Sequence, residues 1–338
     1  MTEKRNYIFD FLRVLFTVSV IVTHASGLVF NSGIAIAHVG VEGFFMISGF
    51  FMAKHLFSRR FENPAEVFLN YHLGRIKRLF PLAFIVCLLV QLKDIIFAHK
   101  ISILRWFSIY FIGDINGIPG FPVMWYVSAL FWGGLLVSAL LVWKRKTSVL
   151  VIFPLAFFVL FSFMYNHYNL WLMLKDFLSM GMLRSVCGLI VGVEVFYGSV
   201  FLESKLQNLR FGFRKLLAIL TELFFIVCFV TLFPKWFTMK YFLVYLFVPM
   251  ILLVISLNEQ VIFRLFDRRC FAHLGKVTYA VYLTHLYLIM FVAKFDCIRK
   301  MNQFLGFFLI VIASFLLGTV FDFLCRKIVR FFRFISCN

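Results

Sequence analysis

Apolar runs close to twenty residues long recur along almost the whole of this chain. A helix rises about 1.5 Å per residue, so one such run crosses the roughly 30 Å hydrocarbon core of a bilayer. The runs are continuous rather than alternating, which argues against a transmembrane β-barrel. Only 14% of the residues are charged and the mean hydropathy is +0.96, against about 25% charged in soluble domains. The fold class expected is therefore an all-α integral membrane protein. Ten spans are expected, at roughly 8–29, 37–57, 79–98, 123–143, 149–165, 182–202, 214–233, 240–257, 277–295 and 304–325. Lys and Arg collect in alternate loops, which places both termini in the cytoplasm. Segments 102–112 and 168–180 are apolar but short, and are expected to be re-entrant or interfacial. No extramembrane stretch is long enough for its own core, so residues 1–338 read as one membrane domain with no separate soluble domain. Asp10, Arg13 and His24 interrupt the first run, which reads as a retained signal-anchor.

The formal charge of +19 does not point to nucleic acid, because orientation in the membrane accounts for most of it. The 49 Phe supply lipid-facing and packing surface. The seven Cys show neither a CxxC nor a metal-type spacing, so no disulfide framework and no metal are expected.

Arg13 and His24 are the costly residues of the first run, since an ionisable group within a bilayer normally faces a protein interior and has work to do. Eleven steps of about 100° return almost to the starting azimuth, so the two share one helix face about 16 Å apart along the axis. Asp10 and Thr17 extend this polar seam. The short loop 30–36 makes spans one and two an antiparallel hairpin. Reflection about Gly33 puts Glu42 level with His24, so Glu42 is expected to hold one ring nitrogen and make the other more basic. Ser48 follows in a Gly-rich segment suited to close helix approach.

Nearer the cytoplasm, Arg75 and Arg78 lie one helical turn apart before Pro81. Two guanidinia so placed suit phosphate groups, and Arg13 is positioned to join them from the membrane side.

Six segments in order resemble the acyltransferase-3 family of membrane O-acyltransferases, which O-acylate bacterial surface glycans. They are Arg13 with His24; Gly40–Phe50; Arg75–Pro81; Trp125-Tyr126-Val127-Ser128; Arg184 with Gly188 and Gly192; and Gly275–His285. Thr278 and Glu42 stand where Ser and Asp are commoner in the family. The resemblance implies ten spans in a bacterial cytoplasmic membrane. It implies a cytoplasmic acyl-CoA, most often acetyl-CoA, as co-substrate, with no permanently bound cofactor. The acceptor is then a hydroxyl of a cell-surface or lipid-linked polysaccharide. Arg13, Arg75 and Arg78 would hold the donor, with Arg13 also able to polarise its carbonyl. His24 would act as general base or transient acyl carrier, oriented by Glu42. Ser48, Trp125, Tyr126, Arg184, Tyr282 and His285 are further substrate-contacting or structural positions. The alternative reading is a multi-span transporter using the Arg13, His24 and Glu42 seam. That fold would need paired discontinuous spans, and Pro154 and Pro249 alone do not supply them. Oligomeric state is left open.

Overall fold

The structure, a computed structural model, describes residues 6–58, 63–99, 101, 123–167, 173–175, 178–231 and 242–336. Among the described residues the regular structure is helical apart from two short paired strands. Helix α1 (Ile8–Ala25) runs on into a π-helical turn, Ser26–Phe30. Next come α2 (Ala37–Phe57), α3 (Pro64–Ala98) and α4 (Met124–Thr147). A second π-helical turn, Ser148–Ile152, leads into α5 (Phe153–His167). Strands β1 (Met173–Lys175) and β2 (Leu178–Ser179) pair antiparallel. Helices α6 (Met180–Leu206), α7 (Phe211–Thr231), α8 (Val244–Ser256), α9 (Arg269–Val292) and α10 (Gln303–Ser336) complete the fold.

Among the described residues, six apolar helical stretches are long enough to cross a membrane: Ile8–Phe30, Pro64–Ile96, Met124–His167, Met180–Leu206, Arg269–Val292 and Gln303–Arg330. The 44-residue stretch Met124–His167 is broken where Lys144 leaves helical geometry at φ −140°, ψ 44°. It covers two of the expected spans. The segment 102–112 and residues 168–172 lie outside the described residues. Residues 176–177 also lie outside them; of the rest of 168–180, expected as an interfacial piece, 173–175 and 178–179 are the two paired strands and Met180 is the first residue of α6.

The third helix departs from its expected start. It begins at Pro64 rather than near residue 79, with Asn63 capping it by accepting from Ala65 N and Glu66 N. Pro at the first helical position is favoured because that N–H has no intrahelical partner. Pro81 is carried inside the helix. Arg75 and Arg78 therefore lie within α3, not in a loop before it.

Burial separates inner helices from outer ones. The most apolar windows of α6, α1 and α9 are 67%, 61% and 56% buried, against 28% for that of α10. Helix α2 packs tightly on α6, and α1 packs on α2, α9 and α10. The α2–α6 contact depends on missing side chains. A Cβ at Gly49 would run into the Leu189 carbonyl, and one at Gly192 into the Met46 carbonyl. The obstacle in each case is backbone, which no rotamer change relieves. Gly192→Leu is expected to abolish accumulation of a monodisperse protein, whereas Gly198→Leu, where nothing lies within 4 Å, is expected to be tolerated. Size-exclusion profiles of the two variants in detergent check this.

Candidate functional site

The polar seam of α1 is built as its spacing predicts, and its residues are tied down in turn. Asp10, 2% exposed, accepts from Arg13 Nη1 at 3.0 Å. Gly275 of α9 makes room for Asp10, since a Cβ there would approach its carboxylate to 2.8 Å. The Arg13 guanidinium also lies over the Phe51 ring at 4.9 Å and stays partly exposed. Thr17 Oγ1 donates to its own helix, at Arg13 O.

The expected His24–Glu42 pair is replaced by two separate arrangements. The loop after α1 folds back onto that helix. Ile34 N donates to Ser26 Oγ, and Ile36 N and Ala37 N donate to Thr23 Oγ1. Helix α2 thus starts level with Thr23 instead of mirroring α1 about Gly33. Gly43 then lies against the Phe16 ring and Phe50 stacks on Phe9, which brings Glu42 level with Thr17. That is about 10 Å from His24 along α1, towards Arg13.

Glu42 is fully buried. Its Oε1 accepts from Arg184 Nε at 2.6 Å and its Oε2 from the Tyr245 hydroxyl at 2.7 Å. Helices α2, α6 and α8 therefore meet at one carboxylate. The Arg184 guanidinium lies 5.3 Å from the Trp125 ring, and Gly181 packs on the same indole. Arg184 and Trp125, read from the sequence as secondary positions, belong to this buried ion pair.

His24 has a different partner. Its Nδ1 lies 3.0 Å from Nε2 of His285 on α9. His285 is fully buried, whereas His24 is half-buried. His38, which sequence reasoning did not single out, lies within electrostatic reach of both Arg184 and His24.

Between these groups and the inner arginines sits Tyr126. Its ring packs on Phe45 at 4.6 Å and on Tyr282 at 5.0 Å, and Ser48 lies near its hydroxyl. Arg75, Glu42 and Arg13 all lie within electrostatic reach of it. Tyr282 donates to Val123 O at 3.2 Å, at the entrance to α4. Residues of α2, α4 and α9, far apart in sequence, thus pack together at one buried tyrosine.

Arg75 is buried against α4. Gly134 gives it space, because a Cβ there would approach Arg75 Nη1 to 2.7 Å. Its contacts with the Tyr71 hydroxyl and Leu130 O are long, at 3.5 Å each, and its Nε has no hydrogen-bond partner among the described residues. Such a guanidinium retains donors for an anion. Arg78, one turn on, is exposed and lies by Tyr71 and Tyr279. Tyr245, Tyr71 and His38 carry no signal that separates them in the sequence from ordinary polar residues of membrane helices.

The model of a family described as an acyltransferase domain, acyltransferase-3, matches residues 6–323. No curated protein and no solved structure is a match. With nearly its whole length matched, the chain belongs to the acyltransferase-3 family, and it is a multi-pass membrane protein of acyltransferase type.

Proposed function

We propose that this protein moves an acyl group, in the simplest case acetyl, from cytoplasmic acyl-CoA to a hydroxyl of a cell-surface or lipid-linked polysaccharide. It does so in a bacterial cytoplasmic membrane, with ten helices crossing and both termini inside. The observation that carries this reading is the half-buried His24 imidazole, anchored through one nitrogen, on the helix that also bears Arg13. Arg75, with an unoccupied donor nitrogen in a buried setting, supports a role with Arg13 and Arg78 in holding the donor phosphates.

The chemistry follows from those placements. The acceptor oxygen attacks the thioester carbonyl as His24 removes its proton; the C–O bond forms, the C–S bond breaks, and the proton passes from His24 to the departing thiolate. In the second route consistent with the same residues, the imidazole carries the acyl group briefly before the hydroxyl takes it.

Purified protein incubated with labelled acetyl-CoA and surface glycan is expected to yield a labelled ester. Solute flux with no ester would overturn the reading. Arg75→Ala is expected to raise KM for the donor about tenfold or more with kcat less affected, as loss of a charge-assisted hydrogen bond predicts. Initial-rate measurements over a range of acetyl-CoA concentrations check this.

A further inference from the structure

The His24–His285 contact has a direction, and the direction follows from backbone carbonyls. His285 Nδ1 lies 2.7 Å from Tyr282 O and 3.3 Å from Val281 O. A carbonyl oxygen only accepts, so Nδ1 of His285 carries a hydrogen. In neutral His285 the other nitrogen, Nε2, is then a bare acceptor. The 3.0 Å contact with His24 Nδ1 is a hydrogen bond only if His24 Nδ1 carries the hydrogen. His24 Nε2 is left as a lone pair, on the ring that is half-buried rather than sealed.

We propose that His285 is the positioning residue of this site: it locks His24 in the Nδ1–H tautomer and so presents Nε2 as the base or nucleophile. This deepens the reading of His24 as the group that serves the acceptor hydroxyl, and it rests on that reading. A buried carboxylate usually does this for a histidine; here a second imidazole does it, itself fixed by the carbonyls of the preceding helical turn.

The surroundings suit a neutral pair. His38 of α2 lies within electrostatic reach of His24, and the Tyr282 ring lies 5.7 Å from His285. The Glu42 carboxylate is engaged by Arg184 and Tyr245. Phe307 and Ile310 of α10 pack with Ile21, Val22 and Ala25, so the neighbouring face is apolar. Neutral imidazole left to itself prefers the Nε2–H form, which would point a donor at the reacting hydroxyl where a base is needed.

The test uses the full chain in detergent with ¹⁵N-labelled histidine, comparing wild type, His285→Leu and His285→Gln. Histidine ¹⁵N shifts identify the tautomer of His24, assigned by its loss in His24→Asn. The wild type is expected to show Nδ1–H at His24. His285→Leu removes the acceptor and is expected to move His24 to Nε2–H, lowering kcat about 10²-fold with KM for acetyl-CoA unchanged. His285→Gln places an amide oxygen near the lost Nε2 and is expected to restore the Nδ1–H form and most of the rate. An Nε2–H signal in the wild type, or an unmoved Nδ1–H signal in His285→Leu, overturns the inference. The wild-type spectrum decides even where the Leu variant does not fold. Activity surviving in His24→Asn, with the tautomer as expected, would instead refute the reading of His24 as catalytic and leave the tautomer lock standing.

Discussion

His24→Asn is expected to lower acyl transfer by on the order of 10²–10⁴-fold, the usual contribution of a positioned proton acceptor. Asn is a sharper substitution here than Ala. Its amide nitrogen falls near the position of Nδ1 and can still donate to His285 Nε2, a contact of 3.0 Å in the native pair. His24→Ala would leave that buried acceptor unpaired, at a cost of about 1–3 kcal/mol, and would mix instability with lost chemistry. His24→Asn keeps the fold and removes only the free ring nitrogen. The variant should run as wild type on gel filtration, bind donor with unchanged affinity and make little ester. Wild-type turnover by folded His24→Asn would rule out both the base and the acyl-carrier route. The two routes part in a second measurement: donor given without acceptor leaves label on the wild-type protein only if the imidazole carries the acyl group.

What could be read from the sequence was whatever depends on neighbours along the chain. The apolar runs fix where the helices lie, and the 3.6-residue period puts Arg13 and His24 on one face of α1. Relations between helices depend on loops, whose path no local period specifies. Reflection about Gly33 assumed a symmetrical turn. The π-helical turn Ser26–Phe30 and the hydrogen bonds to Thr23 and Ser26 pull α2 back along α1, and Glu42 moves away from His24. The partners it found, Arg184 and Tyr245, are 142 and 203 residues distant, beyond any local periodicity. The start of α3 differs from its expected place for another reason: Pro81 suggests a helix start, whereas a proline can be carried inside a membrane helix, as it is here. Glu222 is a similar omission. Fully buried, it accepts from the backbone N–H groups of Val261, Ile262 and Phe263 and so holds the loop before α9. One carboxylate amid apolar residues gives no hint of that target.

Arg184→Ala is expected to destabilise the protein by about 3–5 kcal/mol, the penalty for stranding one member of a buried ion pair. Against a typical total stability of roughly 5–15 kcal/mol, that is enough to deplete folded protein in the membrane. The pair is sealed, with Glu42 at 0% and Arg184 at 4% side-chain exposure, so water cannot take over the lost contact. The damage should be repairable without restoring charge. In Glu42→Gln with Arg184→Met, the Gln carbonyl still accepts from the Tyr245 hydroxyl and no lone charge is left buried, so most of the stability of the single-variant deficit should return. Thermal unfolding of the wild type, both single variants and the double variant in one detergent gives the coupling directly. The same four proteins decide what Glu42 does for catalysis. Because its carboxylate is committed to Arg184 and Tyr245 about 10 Å from His24 along α1, activity per folded molecule should follow the integrity of this helix junction. The double variant should therefore regain activity along with stability. A Glu42→Gln protein of native stability but with kcat reduced 10²-fold would contradict this, and would return Glu42 to a direct part in the chemistry.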